Sequence, residues 1–265
     1  MTRHYSSFYL SHGGGPMPLL GDPGHQQMVD RLKAVAQTMA TPSAIVLVSA
    51  HWEADRPSIT SAASPSLIYD YYGFEERAYQ IQYPAPGAPE LALEIHQKLH
   101  QAGLSPQLDE QRGFDHGMFV PLSILFPEAP LPVVQLSLNS NLDVAQHIEM
   151  GRALKGLGDG KVLVIGSGFS FHNMRAFFAP DQGQANQANA AFERWLIETC
   201  TSPRLSEAQR RERLIRWEQA PGARFCHPRE EHLLPLMLCY GVNESAASEH
   251  HELKILGKRA SFYLW

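Results

Sequence analysis

The chain has 265 residues, 44% of them hydrophobic and 18% charged, with a formal net charge of -5. These values suit a soluble globular protein with a sizeable core, arranged as one large α/β domain or two small ones. The mild acidity, without a basic stripe or an Arg-rich arm, argues against nucleic acid as a partner, and no stretch is long enough to span a bilayer.

In chain order, residues 7–10 read as a first strand, stopped by Gly13-Gly14-Gly15-Pro16. Residues 25–40 carry helical spacing through Met28, Leu32, Val35, Ala36 and Met39. Residues 44–49 are continuously apolar, as a strand buried on both faces of a parallel sheet should be. The Tyr-, Pro- and Gly-rich residues 57–89 read as a long ordered loop with room for a short strand near Ile59. A helix is predicted over 90–102, with Pro89 near its first turn and Gly103 past its end. Residues 113–117 read as a loop, 119–126 as a short helix with Pro121 in its first turn, and 132–138 as a buried strand. A helix over 143–157, capped by Asp143, leads to a strand at 162–165 closed by Gly166-Ser167-Gly168. Helices follow over 182–199, 206–217 and 230–240, and residues 252–265 alternate as one or two final strands. Strands alternating with helices predict a single α/β domain over 1–265, with a central, mainly parallel sheet flanked by helices. Cys200, Cys226 and Cys239 lack CxxC spacing, and the first residues are too few and too polar for a signal peptide. Both features fit reduced thiols and a cytoplasmic setting.

Five histidines stand in short Gly, Ser, Asn, Asp or Pro settings: His12, His51, His116, His172 and His232. Imidazole is a common ligand for borderline metals and shuttles protons near neutrality, and ligands of open α/β sheets gather beyond the carboxyl ends of strands. A single such histidine is as readily a structural cap, but His12, His51 and His172 each follow a strand, which coincidence does not explain well. The pattern points to an enzyme with a metal at the strand ends. His116, between Asp115 and Gly117, reads equally as a turn histidine, and His232 opens an apolar helix from which it can project into a cleft. The triple glycine lets backbone approach a ligand, or is simply a tight turn. His227 reads as structural or supporting; His4, His25, His96, His100, His147, His250 and His251 read as solvated. Asp115, Glu230 and Glu231 could orient neighbouring imidazoles. One of them could instead complete a set of two histidines and a carboxylate, and Glu230 and Glu231 could merely complement a helix dipole.

Ser11-His12-Gly13, Ser49-Ala50-His51-Trp52, Tyr83-Pro84-Ala85-Pro86-Gly87, Gly113-Phe114-Asp115-His116-Gly117 and Glu231-His232-Leu233-Leu234-Pro235-Leu236 occur in that order. Gln135-Leu136-Ser137 and Gly166-Ser167-Gly168 through His172-Asn173 lie between them. From about residue 7 onward the chain resembles the class III extradiol ring-cleavage dioxygenases of the DOPA 4,5-dioxygenase type. The resemblance implies a single α/β domain with one metal near the strand ends, held by His12, His51 and His232. It makes His172 either a further ligand or the acid/base beside the metal, and His116 a histidine facing substrate or oxygen. It also implies non-haem iron(II) for activity, zinc(II) in the isolated protein, and a catechol and O2 as reactants, and leaves room for a homo-oligomer. Gly14-Gly15-Pro16 and Phe169-Ser170-Phe171 depart from the family's usual residues and are expected to line the pocket. Tyr71, Tyr72, Tyr79 and Tyr83 could cover a bound ring or simply pack. The competing classes are a zinc-dependent hydrolase built on the same histidines and a non-catalytic metal- or small-molecule-binding protein.

Overall fold

Among the described residues eight strands form one sheet: β1 (Ser7–Ser11), β2 (Ala44–Ala54), β3 (Ser58–Thr60), β4 (Gln107–Asp109), β5 (Val133–Asn139), β6 (Val162–Gly168), β7 (Glu249–Ile255) and β8 (Lys258–Leu264). The computed structural model describes residues 2–127, 131–178 and 183–265. Strand order is β4-β3-β5-β2-β6-β1-β8-β7. The four central strands β5, β2, β6 and β1 run parallel, while β8 runs antiparallel to β1 and β3 antiparallel to β5.

Among the described residues the helices are α1 (Gln26–Thr38), α2 (Pro89–Gln101), α3 (His116–Leu125), α4 (Val144–Ala153), α5 (Met174–Phe177), α6 (Gly183–Thr201), α7 (Glu207–Ile215), α8 (Ala223–Cys226) and α9 (Leu234–Asn243). The alternation of β6 shows how they cover both faces. Cβ atoms on Gly166 and Gly168 would meet the carbonyls of Pro235 and His232 at 2.4 and 2.1 Å, so α9 and the turn before it press directly on the strand. Ser167, between them, points the other way and donates to the Gly117 carbonyl of α3 at 2.6 Å. Double coverage is why residues 44–48 are apolar without alternation and fully buried. One core runs through both faces, the three cysteines are buried free thiols, and no described helix is long and apolar enough to cross a membrane.

Several elements differ from expectation for identifiable reasons. His116 is not in a loop: the Asp115 carbonyl accepts from Met118 and Phe119 N–H, so the helix starts at His116. That helix is almost entirely buried and carries no polar face to mark its start. Strand β2 continues to Ala54 because pairing with β5 resumes at Glu53 after a register shift. Helix α9 begins at Leu234, not 230, since Glu230 to Leu233 form a separate turn and Pro235 favours a first-turn position. Helix α4 stops at Ala153, ahead of Gly156 at φ 71°. The start expected at residue 182 for α6 lies outside the described residues. Strand β3 near Ile59 and the Asp143 cap (accepting from Gln146 N–H at 2.7 Å) are as predicted, and the one or two final strands expected over 252–265 are two, paired as a hairpin that begins earlier, at Glu249.

His147, expected in solvent, is fully buried. Its Nδ1–H donates to the Asp143 carbonyl at 2.7 Å and its Nε2 accepts from Asn139 N–H at 3.1 Å, tying the end of β5 to the start of α4. Only the neutral ring can make both bonds, and burial pushes its pKa from 6.5 down to about 4. The unfolded chain therefore takes up this proton first. The contribution is complete above about pH 6.5 and is lost as pH falls toward 4. In urea unfolding, His147→Gln should cost about 1–2 kcal/mol at neutral pH. It should also flatten the loss of stability below pH 6.5 by up to about 1.4 kcal/mol per pH unit; an unchanged slope would refute this role for His147.

Candidate metal centre

The neighbouring strands β1, β6 and β2 end on one edge of the sheet and deliver most of the site. His12 follows β1 directly, its N–H donating to the Gly168 carbonyl at 2.9 Å. His51 lies in β2 beyond Val48, where the register to β5 shifts and the strand re-aims its side chains. His172 stands four residues past β6, pinned by its N–H to the Cys226 carbonyl at 2.9 Å. His116 opens α3, and His232 sits in the turn before α9. The His232 carbonyl accepts from Tyr9 Oη–H at 3.1 Å and Phe169 N–H at 3.0 Å.

The five imidazoles converge at the floor of one cavity of about 330 Å³. Ring centroids of His12, His51 and His232 are separated by 4.9, 5.1 and 5.4 Å, a near-equilateral triangle. His12 Nδ1–H donates to Ser167 Oγ at 3.0 Å, because that hydroxyl already gives its own hydrogen to Gly117. His12 Nε2 is thus left with a lone pair, 3.0 Å from His51 Nε2. His232 Nδ1–H donates to Glu231 Oε1 at 2.9 Å, which likewise frees its Nε2. Burial first, and then the neighbouring imidazoles, hold His12 and His51 well below the usual histidine pKa and His232 at about 3. Neutral rings whose outer nitrogens are held by hydrogen bonds are the donor form that a divalent iron or zinc ion requires. The residues present fit such an ion.

Two carboxylates support this floor. Glu231 Oε1 also faces His172 Nδ1 at 3.2 Å, and the rings of His172 and His232 stack with centroids 3.4 Å apart and planes at 17°. Burial works against the Glu231 anion, but hydrogen bonds from both imidazoles outweigh it and hold its pKa well below the carboxylate range. Its Oε1 lies between the two imidazoles as a shared acceptor, and with His172 and His232 it also has the spacing of a metal-ligand set. Glu230 lies outside the site, paired with Arg224 at 2.7 Å. Asp70 was not marked by the sequence. Its Oδ1 accepts from His116 Nδ1–H at 2.8 Å and from His116 N–H at 3.0 Å, and its Oδ2 lies 4.0 Å from His51 Nδ1. Nothing distinguishes a lone Asp within Tyr69-Asp70-Tyr71-Tyr72 until the loop is folded over α3.

Other expectations are corrected. Asp115 does not orient His116; it accepts from Ser49 Oγ at 2.7 Å and from Gln135 Nε2, tying the start of α3 to β2 and β5. His25 is buried, with Nδ1 on Asp22 at 2.7 Å and Nε2 accepting Gly14 N–H at 2.9 Å. The glycine run accommodates it: Gly13 has φ 83°, and a Cβ there would lie 2.6 Å from the His25 ring. His250 and His251 are half-buried on β7. His227 is structural as expected, donating to the Ser170 carbonyl at 2.9 Å, and His96 and His100 stack on the outer face of α2. Gly14, Gly15 and Phe169 line the cavity, but Phe171 stands behind it, against Phe177. Tyr71 and Tyr72 line the cavity, while Tyr79 and Tyr83 are not part of its wall. Because the His232 carbonyl fills the space of a Gly168 Cβ, Gly168→Ala should displace the His232 turn. Metal content of the purified variant, measured by mass spectrometry, should fall about tenfold or more; full loading would show that the turn tolerates the shift.

Residues 1–262 match the family model described as the catalytic LigB subunit of aromatic ring-opening dioxygenase. The chain is 38% identical to "Dioxygenase tasH" of Hapsidospora irregularis, over 97% of this chain and 84% of that protein. It is 37% identical to a 4,5-DOPA dioxygenase extradiol of Beta vulgaris (94% of this chain, 90% of that protein) and 33% identical to one from Escherichia coli K12 (89% and 84%). A crystal structure of an uncharacterized Escherichia coli K12 protein superposes with a TM-score of 0.76 at 28% identity, covering 98% of this chain and 99% of that one. With its histidine floor on the edge of a mainly parallel sheet, the chain belongs to the class III extradiol ring-cleaving dioxygenases of the DOPA 4,5-dioxygenase type.

Proposed function

We propose that the reaction is extradiol cleavage of a catechol by O2, and that His12, His51 and His232 hold the non-haem iron(II) that supports it. The family is metal-dependent and acts on a small aromatic molecule with O2. What supports the assignment here is the convergence of three buried neutral imidazoles, with hydrogen bonds at Nδ1 leaving the Nε2 lone pairs of His12 and His232 free and His51 Nε2 lying 3.0 Å from that of His12. Iron(II), when bound, supplies a Lewis acid for the catechol oxygens and a path for electrons between the ring and O2.

The remaining residues move and hold protons. The His172 ring stacks on that of His232 with centroids 3.4 Å apart, and its Nδ1 faces Glu231 Oε1 at 3.2 Å, beside the three residues that would hold the metal. We therefore assign His172 to proton transfer: Glu231 accepts at its Nδ1, and Nε2 takes the hydroxyl proton that catechol loses on binding. His116, held at Nδ1 by Asp70, offers its other nitrogen to substrate or O2. Both atoms of O2 end in the product, and the ring bond broken is the one beside the two hydroxyls.

Anaerobic reconstitution with iron(II), followed by a catechol in an oxygen electrode, should give O2 uptake and a yellow product. Ester or amide turnover with zinc and no O2 uptake would overturn the reading. His12→Ala, His51→Ala and His232→Ala should each lose most bound metal. His172→Ala and His116→Ala should keep it while kcat falls about 10²–10⁴-fold. Asp70 is a positioning residue in this scheme. Asp70→Asn should lower kcat about 10–100-fold at unchanged metal content and unfolding midpoint; a change in KM alone would assign it to substrate binding instead.

A further inference from the structure

We infer that this cavity selects catechols whose ring substituent is apolar and carries no carboxylate; the inference rests on the ring-cleavage reading above. Above the histidine floor the wall is built by Met17, Phe74, Phe169, Phe177 and Leu256. The mouth continues the same chemistry outward. Tyr72, Phe178 and Met174 line it and, among the described residues, are 92%, 76% and 54% exposed, an apolar rim.

Charge points the same way. Among the described residues no Lys or Arg lines this cavity, and its one carboxylate is Asp70. The segment that follows Phe178 in sequence, 179–182, reads Ala-Pro-Asp-Gln and has no basic residue either. Arg175 and Arg229 line a different cavity of about 740 Å³ that meets this one at His172 and Met174. Arg229 is already held by both oxygens of Glu53 at 2.5 and 2.6 Å. A carboxylate on the catechol would therefore lose water without gaining a cationic partner, which is strongly unfavourable. An alkyl or aryl substituent meets side chains along its whole length, worth about fourfold in affinity per buried methylene.

The discriminating pair is 4-propylcatechol and 3-(3,4-dihydroxyphenyl)propionate, which share the chain length and differ in the carboxylate, with DOPA and catechol beside them. On the iron(II)-loaded enzyme, kcat/KM from O2 uptake should be about 100-fold higher for propylcatechol than for the propionate or DOPA. Anaerobic calorimetry should rank their Kd values in the same order. Phe178→Ser and Tyr72→Ser should each reduce the preference for propylcatechol over catechol severalfold. Equal or faster turnover of the propionate or DOPA overturns the inference while leaving ring cleavage intact. Loss of that turnover in Arg175→Ala would further show the tail crossing His172 into the second cavity. No O2 uptake with any of the four would overturn the ring-cleavage reading, and this inference with it.

Discussion

Register between three parallel strands decides where the imidazoles can go. Ser11 lies opposite Gly168 and Ser49 opposite Ser167, so β1 and β2 release His12 and His51 at one level on either side of β6. Ser167 then serves both faces of the problem: its oxygen accepts from His12 while its hydrogen is committed to α3. Gly168, one residue on, leaves space for the carbonyl of His232. A slip of one residue in β6 would exchange these two surfaces and separate the triangle. The centre is thus a property of the sheet, with α3 and α9 pressed onto it from opposite sides.

The electrostatics of the floor are arranged around neutrality. Five imidazoles gathered in a poorly solvated pocket cannot all be protonated, and burial keeps the three proposed ligands uncharged. Each of the two carboxylates beneath them takes hydrogen bonds from a histidine flanking the proposed ligands, Glu231 from His172 and Asp70 from His116. Glu231 also reaches His232, so one oxygen sets the orientation of both a proposed ligand and the proposed proton acceptor. Moving that carboxylate would disturb metal binding and proton transfer together.

Much of this was legible in the sequence because it depends on local rules. Residues 44–48 announced a strand buried on both faces, and Asp143 announced its cap. His12, His51 and His172 were marked by where strands stop, and they do meet in one cavity. What stayed hidden depends on long-range contact. Asp70 gains its meaning only when the loop folds across α3, and Asp115 turned out to bond Ser49 and Gln135, distant in sequence, rather than its neighbour. His25 and His147 looked like surface histidines because nothing in a helical pattern reveals a partner such as Gly14 N–H or Asn139 N–H. The fold was read from periodicity; the supporting carboxylates are set by tertiary structure.

Strand β1 lies between β6 and β8, both encoded far downstream of it. β6 begins at Val162 and β8 at Lys258, so each pairing of β1 closes a long stretch of chain. Such long-range pairing implies slow closure, since loop entropy is spent before the contacts that offset it form. It also means that His12 meets His172 and His232 only once these long-range pairings have formed, so the capacity to capture an ion rests on the most sequence-distant contacts of the sheet.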